Sequence, residues 1–240
     1  MSGQLNMEEF LGETIVSFGE PHLACALLLD VSGSMAGEPI WSLNAAIKRF
    51  KEQVSSDPIA RQRVDIALVA FGSEVEVISD FVPISEMPTP ALEAGGRTEM
   101  AQGIQTAIDL VKNRTQMYSQ LGTPCHKPWI FMITDGLATS NQGEMIQAAE
   151  RIRTEETKGS HGHLSFWALG IDNYDKDQLF SLTNRVMELK DQDFSGIFDW
   201  LSESMSAISQ SHVGERVEFD PLPANARKAE KDREIGEDWY

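Results

Sequence analysis

The stretch "LLLDVSGSMAG", residues 27–37, ends an apolar run in Asp30 and then sets Ser32 and Ser34 at every second position. In an extended loop alternate side chains point the same way, so a carboxylate and two hydroxyls in this rhythm converge on one point. Two further oxygen-bearing residues stand in comparable places. Asp135 closes the run "WIFMITDG", and Thr98 lies in "EAGGRTEMAQG", ahead of a helical pattern. Five hard oxygen donors with no histidine or thiolate among them suit Mg2+, with Mn2+ or Ca2+ at the same place as alternatives. Two carboxylates bring at most two negative charges, so an ion held here keeps positions for water, one of which a carboxylate from another molecule can take. The chemistry implied is metal-bridged adhesion. The plainer reading is a helix cap, since Asp and Ser before a helix bind its free N–H groups. A cap accounts for one of the three residues, not for the triplet together with Thr98 and Asp135.

Such a site needs strands that end at one rim and helices that begin there. Four short apolar runs read as buried strands: "HLACALLLD" (22–30), "VDIALVAFG" (64–72), "WIFMITD" (129–135) and "LSFWALGI" (164–171). Their near-continuous apolar character suits parallel strands covered on both faces. Between them, Ile40, Leu43, Ile47, Phe50 and Val54 recur at helical spacing, with Pro39 near the start. Met100, Ile104, Ala107, Ile108 and Val111 repeat the pattern, as do Met145, Ile146, Ala149 and Ile152, and then Ile197, Trp200, Leu201, Met205 and Ile208. "VEVISDFV" (75–82) follows the second strand after only Gly72, Ser73 and Glu74, which is too short for a parallel crossover and predicts an antiparallel hairpin at a sheet edge. "RVMELK" (185–190) reads as a last short strand. The expected fold is α/β: a doubly wound, Rossmann-like, mostly parallel six-stranded sheet with one antiparallel edge strand.

Other chemistry-bearing residues have simpler explanations. Asp172, Asp175 and Asp177 suggest a calcium loop, but Gln178 stands where an EF-hand needs glycine and Asn184 where the bidentate glutamate belongs. A turn leading into a helix N-terminus explains these acids better. His161 and His163 sit in a Gly/Ser-rich turn without a third ligand and read as solvated. Cys125 and His126 are adjacent, and adjacent side chains rarely face each other as nucleophile and base require. Trp129 and Trp167 read as core, whereas Trp41 is open between core and binding face.

The chain has 240 residues with 20 Lys+Arg against 37 Asp+Glu, a net charge of −17, and 41% hydrophobic content. The charge argues against nucleic acid and against anionic membranes, since no local basic patch is visible in the sequence. It favours a cation or a positively charged partner. Two cysteines, Cys25 and Cys125, suit a reducing compartment. The N-terminus lacks a signal-peptide pattern, and "LACALLL" is far short of the roughly 20 residues that span a bilayer. A cytoplasmic protein is expected. Residues 1–20 read as an N-terminal extension, 21–213 as the domain, and 214–240 as a disordered charged tail in which Trp239 and Tyr240 offer the means of docking.

Asp-Val-Ser-Gly-Ser (30–34), Thr98 behind a Gly-Gly pair and Asp135 in Thr-Asp-Gly resemble the metal-ion-dependent adhesion site, or MIDAS, of von Willebrand factor A domains. No ligand position is substituted, and the resemblance covers about residues 20–210. It implies that Asp30, Ser32, Ser34, Thr98 and Asp135 are the metal ligands and that a partner's Asp or Glu completes the shell. In size and character the chain resembles bacterial stand-alone A-domain proteins of the TerY/YegL type. That likeness implies a tellurite-resistance or stress setting with kinase or phosphatase partners. Two other functions compete with this protein-binding module. One is a Mg2+-dependent phosphatase-like hydrolase using Asp30, which haloacid-dehalogenase chemistry disfavours because Ser32 stands where a second acid is needed. The other is a scaffold in which the metal only stabilises the loops. The chain is expected not to be an enzyme.

Overall fold

A computed structural model describes residues 19–136, 138–159, 162–171 and 174–230. Its strands are β1 (Leu23–Asp30), β2 (Val64–Phe71), β3 (Val75–Pro83), β4 (Trp129–Thr134), β5 (Ser165–Ile171), β6 (Val186–Leu189) and β7 (Ala226–Lys228). The helices are α1 (Glu38–Ser56), the single turn α2 (Ala60–Arg63), α3 (Met100–Leu121), α4 (Gln142–Thr157), α5 (Lys176–Leu182) and α6 (Ser195–Gln210). The strands form one sheet in the order β3-β2-β1-β4-β5-β6-β7. β2, β1, β4, β5 and β6 run parallel, and β3 and β7 run antiparallel to their neighbours at the two edges.

Every residue of β1, β2, β4 and β5 is buried, which is why those runs show no polar alternation. The period of two sorts their side chains between two layers. Leu23, Cys25, Leu27 and Leu29 of β1 face the layer that holds α1 and α6, where Phe50, Phe198 and Trp200 pack. Ala24, Ala26 and Leu28 face the layer of α3, α4 and α5, where Ile104, Ile152 and Phe180 pack. Trp129 and Trp167 are core residues with ring centroids 5.0 Å apart. No helix among the described residues is long and apolar enough to cross a membrane.

The sheet has seven strands where six were expected, and the seventh comes from the segment read as a tail. Arg227 pairs with Glu188 on β6, and Asn225 donates to Asp191 Oδ1 and to the Asp193 carbonyl, both at 2.9 Å. Upstream, Phe219 packs edge-on against Trp129 and Trp200, and Trp200 Nε1 donates to the Asp220 carbonyl at 2.8 Å. The folded unit therefore continues past 213 through β7. Trp239 and Tyr240 lie outside the described residues, as do Asp172 and His161.

Candidate functional site

The sheet's switch point lies at β1. The chain leaves β1 for α1 on one face and leaves β4 for α4 on the other, so a crevice opens beyond the carboxyl ends of these neighbours. Asp30 is the last residue of β1 and Thr134 the last of β4, with Asp135 next. Ser32 introduces a short 3-10 turn, Gly33–Met35, and Thr98 precedes α3 by two positions.

The five expected oxygen donors meet in this crevice. Asp30 Oδ1 accepts the Ser32 N–H at 2.8 Å, and Oδ2 accepts the Thr134 hydroxyl at 2.6 Å. Ser32 Oγ and Ser34 Oγ are 3.1 Å apart, and Ser34 Oγ donates to Asp135 Oδ1 at 2.7 Å. Gly136 locates Thr98 in the same cluster. A Cβ built there would lie 3.4 Å from Ser34 Oγ and 4.0 Å from both Asp30 Oδ2 and Thr98 Oγ1. Oxygens of Asp30, Ser34 and Thr98, from two segments of the chain, thus border the position that a methyl group on Gly136, in a third, would take. Asp30, Ser32 and Thr98 are buried, Asp135 is half-buried, and Ser34 is exposed.

Burial pushes the Asp30 carboxyl above its ordinary value. Hydrogen bonds from Ser32 and Thr134 pull it partly back, and the nearby Asp135 charge adds to the rise. No ion pair among the described residues includes Asp30. A buried carboxylate beside a second one is costly unless a cation joins it. Among the described residues no three His, Cys, Asp or Glu side chains cluster as a metal site; the two carboxylates and three hydroxyls at the rim are oxygen donors of the kind a hard cation takes.

Backbone contacts hold the loops in register. Gly33 N–H donates to the Gly96 carbonyl at 3.2 Å, Gly95 N–H to Val31 at 2.8 Å, and Glu99 N–H to Gly72 at 2.8 Å. Thr98 N–H donates to Thr139 Oγ1, and Thr139 N–H to the Thr98 carbonyl, both at 3.0 Å. Gly96 has φ +77°, and a Cβ there would come within 2.1 Å of Ser73 Oγ, so this close approach admits only glycine. Ser73 Oγ in turn accepts the Arg97 N–H at 2.9 Å. The sequence reading missed Thr134, Thr139 and Ser73 as supports, because a hydroxyl whose partner lies dozens of positions away leaves no local signal.

The remaining candidates lie elsewhere. Asp175 caps α5, accepting the Gln178 N–H at 2.8 Å, in keeping with a helix start. His163 is half exposed, with Nδ1 3.4 Å from Glu155 Oε2. Cys25 and Cys125 are both free thiols. Burial raises the Cys125 thiol above its ordinary value and lowers His126, with the Arg63 charge lowering His126 further; neither shift suits a nucleophile and base near neutrality. Trp41, on the first turn of α1, is 71% exposed and not part of the core.

Residues 25–138 match the family model described as "von Willebrand factor type A domain". Over those residues the chain is similar to the von Willebrand factor type A family, and its fold is of that type. Solved structures agree on the A-domain fold. A von Willebrand factor type A protein from Catenulispora acidiphila superposes with TM-score 0.59 at 14% identity, covering 80% of this chain and 48% of that one. The vWF domain of the type V pili tip protein Mfa5 from Porphyromonas gingivalis gives 0.57 at 16%, covering 83% and 99%. The pilus adhesin SpaC from Lactobacillus rhamnosus GG gives 0.62 at 13%, covering 81% and 32%. The chain spans about half the length of the Catenulispora protein. No curated protein matches it in sequence.

At the opposite end of the A-domain sheet, where β1 and β2 begin, a second polar cluster is sealed in the core. Asp65 Oδ2 lies 2.9 Å from His22 Nδ1 and 3.0 Å from the Arg114 guanidinium, and accepts the Tyr118 hydroxyl. Burial, reinforced by the Asp65 charge, raises the Tyr118 hydroxyl well above its ordinary value, so it remains a donor. All four side chains are buried, which makes the cluster a tie between α3 and the sheet.

Proposed function

We propose that this A domain is a divalent-cation-dependent protein-binding module. In this reading Asp30, Ser32, Ser34, Thr98 and Asp135 form a complete MIDAS that holds Mg2+, with Mn2+ or Ca2+ as alternatives, and a partner supplies an Asp or Glu. The observation that carries it is that Asp30, Ser34 and Thr98 oxygens border one position at the switch point, that Ser34 Oγ also reaches Ser32 Oγ and Asp135 Oδ1, and that Asp30 is buried and outside every described ion pair. A divalent ion in that space supplies Lewis acidity and a position open to a carboxylate oxygen. The chain's own groups do the rest. Thr134 and the Ser32 N–H fix the Asp30 carboxylate, and Ser34 orients Asp135. The hydrolase reading is weaker, because Asp30 has 0% exposure and both its oxygens accept hydrogen bonds, a poor setting for an attacking nucleophile.

The test is calorimetric titration of metal-free protein with Mg2+, then with an acidic peptide in the presence and absence of EDTA. Saturable Mg2+ binding that Asp30→Ala abolishes, with peptide binding only when Mg2+ is present, supports the proposal. Peptide binding indifferent to EDTA refutes it, and metal binding that never recruits a carboxylate leaves the scaffold reading. The TerY/YegL likeness nominates kinases and phosphatases of a stress or tellurite-resistance system as the first partners to try. A cytoplasmic setting belongs to the same proposal. It is supported by two free cysteines and tested by cell fractionation.

A further inference from the structure

The flank of the domain holds a basic groove that the sequence did not reveal. Lys48 and Lys51, three positions apart on α1, face the same way and line an opening of about 460 Å³ with Arg61 of α2. Ser85 and Thr89, from the segment after β3, add hydroxyls, and Glu52 is the one acid in the lining. Three cations against one acid make a local reversal of sign in a chain of net charge −17. None of the ion pairs among the described residues uses Lys48, Lys51 or Arg61. Ser55 Oγ, also in the lining, is shut off from solvent and has no hydrogen-bond partner among the described residues.

We propose that this groove binds a phosphoryl monoester, the dianionic group of a phosphorylated serine or threonine on a protein partner. Such a group concentrates close to two negative charges and three strong acceptor oxygens at one point, which matches three cations and a set of hydroxyl donors. An extended polyanion fits poorly. Nucleic acid or an anionic membrane would have to lie along a strongly acidic surface, and no aromatic side chain lines the groove to stack a base. Lys48 lies ten positions beyond Glu38 on α1, about 15 Å along the helix axis, so the groove is separate from the oxygen cluster at the rim and does not depend on it.

The experiment titrates the full chain with a phosphoserine peptide of otherwise neutral sequence, the same peptide unphosphorylated, and inorganic phosphate, followed by amide chemical shifts. The phosphopeptide is expected to bind at least about tenfold more tightly than its unphosphorylated form, with shifts centred on α1, α2 and residues 84–89. Combined Lys48→Gln, Lys51→Gln and Arg61→Gln should abolish that preference, and Glu52→Gln should tighten binding about threefold. Asp30→Ala should leave it unchanged, which separates this site from the metal proposal. Equal affinity for the two peptides, or undiminished phosphopeptide binding by the triple variant, overturns the proposal. Should the triple variant fail to fold, absence of tightening in Glu52→Gln overturns it. Inorganic phosphate binding as tightly as the phosphopeptide overturns the protein source.

Discussion

Gly136→Ala tests the oxygen cluster without touching any of its oxygens. The added methyl carbon sits 3.4 Å from Ser34 Oγ and 4.0 Å from Asp30 Oδ2 and Thr98 Oγ1, all ordinary contact distances. Gly136 is not among the glycines with positive φ, so an alanine there is unstrained. Restricting the unfolded chain favours the variant by about 0.4–1 kcal/mol, so the metal-free protein should melt at or slightly above the wild-type temperature. A divalent ion held by these oxygens would need the space that the methyl group takes. Mg2+ at 100 times its dissociation constant stabilises the wild type by about 2.7 kcal/mol. For a domain of this size that raises the melting temperature by about 5–11 °C. A hundredfold loss of affinity leaves about 0.4 kcal/mol at the same Mg2+ concentration, a shift of about 1–2 °C. Thermal melts followed by circular dichroism, with EDTA and with increasing Mg2+, read both quantities. A variant that keeps the full Mg2+ shift refutes the location of the ion. A metal-free variant that melts many degrees lower refutes the assumption that the space is open.

Asp30→Asn should remove the Mg2+ response while leaving metal-free stability at pH 7 equal to or above the wild type. The folded-state pKa of Asp30 is raised, so the native state binds its proton more tightly and stability falls as pH climbs from the unfolded value, 3.8, through the raised one. Urea unfolding of wild type and variant across that window should show the wild type losing ground as pH increases, and parallel curves would contradict the burial argument. Asp65→Asn takes away the carboxylate that faces buried Arg114 and should cost about 3–5 kcal/mol in urea unfolding, with no change in Mg2+ affinity. Ending the chain at residue 213 strips Phe219 from the tryptophan cluster and leaves Trp200 Nε1 without its acceptor, an expected loss of about 3–5 kcal/mol by the same measurement.

The four central strands were legible because a strand covered on both faces is apolar throughout, as "LACALLLD" shows. The hairpin followed from loop length alone. β7 was not legible: of Ala226, Arg227 and Lys228 only the first is buried, and the strand owes its place to Asn225, Glu188 and the edge of β6. At the rim, the rhythm of Asp30, Ser32 and Ser34 betrays itself because its residues are neighbours in sequence. The 41-position link from Thr98 to Thr139 and the 24-position link from Arg97 to Ser73 exist only after folding. The same is true of the basic groove, whose cations are diluted among acids along the chain, and of the ties from Asp65 to His22, Arg114 and Tyr118.

The short seventh strand has a consequence for how the molecule survives in a crowded solution. Without it, β6 would offer a bare row of backbone donors and acceptors, the template on which extended segments of other chains assemble into aggregates. Three residues, two of them charged and exposed, close that row, while the opposite margin is interrupted by register shifts around Leu68 and bears the exposed acids Glu76 and Asp80. Proteolytic clipping upstream of Ala226 would therefore bare a sticky edge, and light scattering after limited digestion would register the change before any loss of helix.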